Sequence, residues 1–248
     1  MLGLSILVSS AMVQAQAPAP VTSFRLLSLA GSYGGLYYEM NDSTKLRKVT
    51  LDQGLSPYYS RPSGPTLEIF REFPVPPGSP PGTKPVRKAG LIASIPEKTS
   101  RCIIVTIPQS TKRTDLLASH TLPDDSSDHR AGTVMAVNYS SFPAVIAMND
   151  AQYPVAVGAS VIIPCPANAS EFIAQIALHK GNRWTPVYKA EFSTNPMLRG
   201  YLVFADYVQD PDYKASAIPP PALVSAVFEV SPEVPRLVKN ASLTASLK

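Results

Sequence analysis

Apolar residues in this chain come in short runs, broken at close intervals by Gly, Pro, Asn, Asp and Ser. Two rhythms occur within the runs. The stretch from Phe172 to Leu178 shows the alternation of a strand with one buried face, whereas Val161-Ile162-Ile163 is apolar without a break, which suits a strand covered on both sides. Long Glu/Lys/Ala/Leu stretches of helical character are scarce. The pattern predicts an all-β chain of many short strands joined by turns.

The pattern also repeats. Tyr38-Glu39-Met40-Asn41-Asp42 matches Ile146-Ala147-Met148-Asn149-Asp150, and each Met-Asn-Asp lies between two apolar runs, as a hairpin turn would. Further matches follow in the same order. Phe24 to Leu29 corresponds to Thr133 to Asn138, Val49-Thr50-Leu51 to Val155-Ala156-Val157, and Thr66 to Phe70 to Phe172 to Ile176. Arg101 to Ile107 corresponds to Arg199 to Ala205, and Leu116 to His120 to Leu223 to Val227. Each copy shows about seven strands, the count and rhythm of an immunoglobulin-like sandwich. The expected architecture is therefore two tandem immunoglobulin-like β-sandwich domains from an internal repeat. The boundaries are 18–122 for the first, 123–131 for an acidic linker, 132–230 for the second, and 231–248 for a polar tail. A proline-rich insertion at 73–85 replaces the short Lys180-Gly181-Asn182-Arg183 hairpin of the second copy, and its composition predicts an exposed loop of polyproline character.

Composition sharpens the picture in three ways. Proline accounts for 26 of 248 residues, about twice the usual share, which favours strands and turns over helix interiors. Hydrophobic residues make up 45%, enough for a packed core. The net charge of +4 comes with no nucleic-acid-binding motif, so the basic residues between Arg61 and Arg113 are expected on a solvated face and no nucleic acid is expected as a partner.

Residues 1–17 read as a signal peptide. Met1 to Val13 is apolar and uncharged, and Ala15-Gln16-Ala17 is a small-x-small site of the kind signal peptidase cuts. The run is shorter than the ~20 residues of a membrane-spanning helix, and no other stretch approaches that length, so no membrane span is expected. An exported, periplasmic or extracellular protein follows. Cys102 and Cys165 suit an oxidising compartment, and either a disulfide between them or two small buried hydrophobes fits their surroundings.

The stretch Gly132-Thr133-Val134-Met135-Ala136-Val137-Asn138-Tyr139-Ser140, followed by Met148-Asn149-Asp150 and Val157-Gly158, resembles a pattern in uncharacterised exported β-proteins of Gram-negative bacteria. In that pattern a strand ending in Asn leads to a short hairpin and then to an apolar-Pro-Gly turn; Val157-Gly158 lacks the proline. The resemblance spans residues 130–210. It implies association with the envelope and brings no activity and no site residues.

Chemistry is sparse. The three histidines are His120, His129 and His179, and no Gly-x-Ser-x-Gly elbow occurs. No catalytic residue, metal or cofactor is assigned. His120, Asp124, Asp125, Asp128 and His129 are the densest group of potential ligands, but their spacing fits no EF-hand and no His-Glu-x-x-His helix, and a solvated acidic linker is the preferred reading. Gly31-Ser32-Tyr33-Gly34-Gly35 reads as a turn between strands. Trp184 is placed at a core edge, with sugar stacking as the alternative. Tyr58, Tyr59 and Arg61 form the candidate ligand-binding group, because Tyr and Arg bury area while keeping a polar tip.

These residues point to a non-enzymatic envelope or extracellular protein that works through protein–protein contact, its partner an envelope protein. The alternative is a module that binds a glycan or another ligand through the tyrosine-rich loops, and an enzyme ranks last. The processed protein is expected to begin near Pro18; N-terminal sequencing of exported material checks this, and an intact Met1 on soluble cytoplasmic protein would remove the export reading.

Overall fold

The structure is a computed structural model, and it describes residues 22–29, 31–40, 43–61, 64–96, 99–108, 117–124, 129–166, 170–207 and 222–231. Residues 1–17, where the signal peptide is expected, lie outside the described residues, as does 232–248 of the expected tail. The described residues form strands, turns and bends, with no helix.

The first half runs β1 (Thr22–Ser28), β2 (Tyr33–Met40), β3 (Ser43–Leu51), β4 (Tyr59–Arg61), β5 (Thr66–Phe73), β6 (Val86–Ser94), β7 (Arg101–Pro108) and β8 (Leu117–Pro123). The second runs β9 (Thr133–Tyr139), β10 (Ala144–Met148), β11 (Ala151–Val155), β12 (Ser160–Pro164), β13 (Glu171–Lys180), β14 (Arg183–Ser193), β15 (Leu198–Ala205) and β16 (Leu223–Val230). Each half thus has eight strands, one more than the sequence rhythm suggested.

In the second half the strands form two sheets, β11-β10-β13-β14 and β12-β9-β15-β16. The first half shows the same neighbours, β3-β2-β5-β6 and β4-β1-β7-β8, but a single pairing of Leu91 with Leu117 joins β6 to β8 and makes one eight-stranded sheet. That sheet curls until its ends, β3 and β4, meet as a nearly closed barrel. The ends are tied by side chains: the Tyr38 hydroxyl donates to the Ser60 carbonyl, and the Thr50 amide donates to the Tyr59 hydroxyl, each at 2.9 Å. In both halves the strand pair at the middle of one layer is parallel, β1 with β7 and β9 with β15, unlike the all-antiparallel layers of an immunoglobulin sandwich. Both halves also carry a ladder irregularity at a corresponding place, between Ile69 and Phe70 in β5 and between Ile176 and Ala177 in β13.

These ladders correct the sequence correspondence at three strands; at the last of them, β8, His120 answers to Ser225 and not to Val227. With Arg101 matched to Arg199, Phe24 pairs with Cys102 and Val134 with Gly200, so Phe24 answers to Val134 and not to Thr133. By the same reasoning Thr66 answers to Ile173, not Phe172. A slip of one residue moves a whole strand to the opposite face, which apolar character alone does not reveal when both faces are apolar.

Three apolar clusters explain why. One fills the first half, around Phe24, Leu26, Ile69 and Ile104; a second fills the other, around Val134, Ile146, Phe172 and Phe204. The third lies between the halves and joins Leu27, Ile103, Val105 and Leu122 to Met135, Val137, Tyr201 and Val203. Along β7, Cys102 and Ile104 face the first core while Ile103 and Val105 face the junction. The layers β4-β1-β7-β8 and β12-β9-β15-β16 are therefore inner layers, apolar on both faces, and the other two are outer layers.

The cysteines fall in separate cores. Cys102 lies within the first cluster and Cys165 packs against the second, and neither is in a disulfide. Inner layers stand between them, whereas a bridge needs Cα atoms within about 7 Å, so the two are not joined. In the proline-rich segment, Pro76 to Ser79 and Pro80 to Thr83 form two consecutive turns in place of extended polyproline. In each, the amide and hydroxyl of the fourth residue donate to the carbonyl of the first. Gly78 and Gly82, at φ 84° and 87°, supply the left-handed third position that such turns require. Trp184 is 51% exposed and packs against His179 on the β13–β14 hairpin, so it does not seal a core edge. Gly34 and Gly35 belong to β2 itself.

The two halves close one flank differently. Where β8 meets β6 in the first half, the second sets Phe228 of β16 against Phe192 of β14 at 4.9 Å. Gly200 makes room: a Cβ there would stand 2.5 Å from the Phe228 ring and 3.1 Å from Val134. Gly200→Ala is expected to destabilise the protein by about 1–3 kcal/mol in denaturant unfolding, as overpacking does. Gly200→Ala combined with Phe228→Leu should recover part of the loss; no recovery would place the strain elsewhere.

Candidate functional site

Charged residues inside apolar strands are costly to bury unless they are paired. Arg25 in β1, Arg199 in β15 and Glu229 in β16 are such residues, and the fold brings them together with Asp124, which directly follows β8. The Arg25 guanidinium donates to Glu229 and to the Ser56 carbonyl, and lies 4.7 Å over the Tyr58 ring. Arg199 donates to Asp124 through Nη2 and to Glu229 through Nε and Nη2 at 3.0 and 2.8 Å. Asp124 also accepts from the Tyr201 hydroxyl at 2.6 Å and the Tyr58 hydroxyl at 2.7 Å. Two cations thus face two carboxylates, and both Asp124 oxygens are occupied.

The cluster spans the junction. Arg25, Tyr58 and Asp124 come from the first half, and Arg199, Tyr201 and Glu229 from the second. Burial and the adjacent Asp124 carboxylate push the Tyr201 and Tyr58 hydroxyls up from their ordinary range, so both stay protonated as donors. A buried pair of this kind contributes modestly to stability when complete, but losing one partner costs about 3–5 kcal/mol, because a charge is left uncompensated.

His129 borders the cluster. Its Nε2 donates to the Gly200 carbonyl at 2.8 Å, and its ring meets Tyr201 edge-on at 4.5 Å. Its Nδ1 is buried without a hydrogen-bond partner among the described residues. Burial, reinforced by Arg199, lowers its pKa from 6.5 to about 4 against the opposing pull of Gly200, Asp124 and Glu229.

The residues singled out from sequence fall as follows. Tyr58 is 43% exposed, but its hydroxyl serves Asp124. Tyr59 packs its ring against Phe24 at 5.4 Å and accepts from Thr50. The Arg61 backbone pairs with Thr22, and its side chain lies outside the described residues. Asp125 and Asp128 also lie outside them. Asp124 and His129, read from sequence as parts of a solvated linker, are both buried. His120 stacks on Tyr139 at 4.0 Å. Among the described residues, no three His, Cys, Asp or Glu side chains gather as a metal site. Sequence reading passed over Arg25, Arg199, Tyr201 and Glu229. The available signal was a charge within an apolar run, as in Phe24-Arg25-Leu26-Leu27 and Phe228-Glu229-Val230.

A second polar group holds the start of the second half. Asn138 is fully buried and satisfied: its amide donates to the Phe142 and Val155 carbonyls, and its oxygen accepts from the Ser140 amide and hydroxyl. This explains why that apolar strand ends in Asn.

His129 is neutral in the folded protein and takes up a proton more readily unfolded. The stability this brings is complete above pH 6.5 and is lost as pH falls toward about 4. The expected loss is at most about 3 kcal/mol. Denaturant titrations at pH 7 and 4.5 check it; His129→Gln should flatten the difference, and an unchanged pH profile in that variant would assign the effect to other groups. In comparisons with known proteins, the chain matches no family model and no characterised protein.

Proposed function

We propose that this protein is an exported, non-enzymatic scaffold of the cell envelope or exterior, built from two duplicated sandwiches of immunoglobulin-like size that act through protein–protein contact. The observation that carries this reading is the junction between the halves. Its third apolar cluster and its balanced charges commit the inner layers to holding the sandwiches against each other. Duplication is supported by the common strand neighbours, the common parallel pair and the matching ladder irregularity. The parallel pair departs from immunoglobulin strand order, so the likeness extends to size and layering. Export is supported by the apolar N-terminal run and its small-x-small site.

A rigid pair of sandwiches leaves the outer layers and the loop ends for contact. Ile92 and Ile173 are large apolar side chains exposed on the outer layers, one in each half. Tyr58 and Tyr59, the residues of the glycan alternative, spend their hydroxyls within the fold.

Photo-crosslinking residues placed at Ile92 and Ile173 in cells are expected to give a discrete protein adduct from at least one face. Specific saccharide binding on a glycan array, abolished by Tyr58→Ala and without protein adducts, would replace this reading with the glycan one.

A further inference from the structure

Both halves point their longest hairpin ends the same way. Asp124 meets Arg199 where β1 and β9 begin, and His120 stacks on Tyr139 near where they end, so the inner layers run in the same sense. The β5–β6 loop lies at the far end of β1, because β3 returns there, with Ser28 donating to Asp52, and β5, on the other side of β2, runs in the same direction as β3. The β13–β14 turn lies at the far end of β9, where His179 donates to the Pro143 carbonyl. One end of the molecule therefore carries both hairpins and the β11–β12 turn.

In or beside three turns at that end, apolar side chains are exposed: Val86, which opens β6, at 54%, Val157 at 52%, and Trp184, near the start of β14, at 51%. Cations stand beside them. Lys88 lies 5.5 Å over the Phe73 ring, Lys180 lies 5.1 Å over Phe142, and Arg183 is exposed next to Trp184. Of the carboxylates there, Glu72 faces Arg87 at 3.7 Å, Asp206 accepts from Ser141, and Asp52 is exposed just after β3. At the opposite end of the outer layer of the second half stand Asp150, Glu171 and Glu191, so in that layer the charge is polarised along the strands.

We propose that this end docks on a bilayer surface of anionic lipids. Two features select that partner. Apolar side chains on three separate turns reach a plane together more readily than they fill one protein groove. Trp beside Lys and Arg is also a combination that sits at the headgroup boundary, where the ring is half-wet and the cation meets phosphate. The contact is peripheral: each cation near an anionic surface strengthens binding about fivefold, and two hairpins add their effects through one rigid body.

Trp184 is the one tryptophan of the chain, so its fluorescence reads this end directly. The full-length protein, titrated with phosphatidylglycerol-containing vesicles at low salt, should show a blue shift and co-sediment. Both signals should fade at high salt. Phosphatidylcholine vesicles control for the apolar N-terminal run, which does not depend on lipid charge. Lys88→Gln with Arg183→Gln, both at exposed positions, should weaken sedimentation with anionic vesicles about 25-fold. No shift with anionic vesicles, equal binding of the double variant, or binding to a soluble acidic polysaccharide without binding to vesicles would each overturn the proposal. Loss of the photo-crosslinked adducts at Ile92 and Ile173 would bear on the scaffold reading alone.

Discussion

The inner layers bury both of their faces, and most features of this molecule follow from that constraint. A strand with one face on a core and the other on a second core has no position for an unpaired charge. Where Arg25, Arg199 and Glu229 interrupt such strands, the fold gathers them at one point and completes the set with Asp124. The charges come from both halves, so the pairing is correct only when the halves are seated in one register. Apolar packing supplies most of the attraction at the junction, and it is not directional; the ion pairs and the two tyrosine hydroxyls are, and they select one arrangement from those the apolar faces would allow.

The same constraint leaves the flanks of the outer layers to be managed locally. In the first half β6 pairs with β8 and removes an edge. In the second, β14 and β16 stay in separate sheets, and Phe192 and Phe228 cover the gap, an arrangement that Gly200 permits. The edge strands of that outer sheet, β11 and β14, carry Pro154 and Pro186. Proline lacks an amide donor, so it blunts edges that would otherwise accept a foreign strand.

Committing the inner faces to the junction divides labour within the molecule. Polar groups that look chemical in sequence, such as Asp124, His129 and Asn138, hold connections in place. Residues free to meet a partner are displaced to the outer layers and to the loop end where Trp184, Val157 and Val86 are exposed.

The sequence by itself determined the class of this protein, all-β with many short strands. Proline frequency and short apolar runs exclude long helices, and the described residues are strands joined by turns and bends. These are local properties, set by backbone chemistry and side-chain period. Only the tertiary structure decided which face each strand shows, since Val134 and Thr133 are equally acceptable partners for Phe24 until the ladders are known. It also decided the fate of the charges. Asp124 is separated from Arg199 by 75 residues, and Arg25 from Glu229 by 204. Burial and pairing arise from contacts between segments that distant in the chain, and no local pattern encodes them.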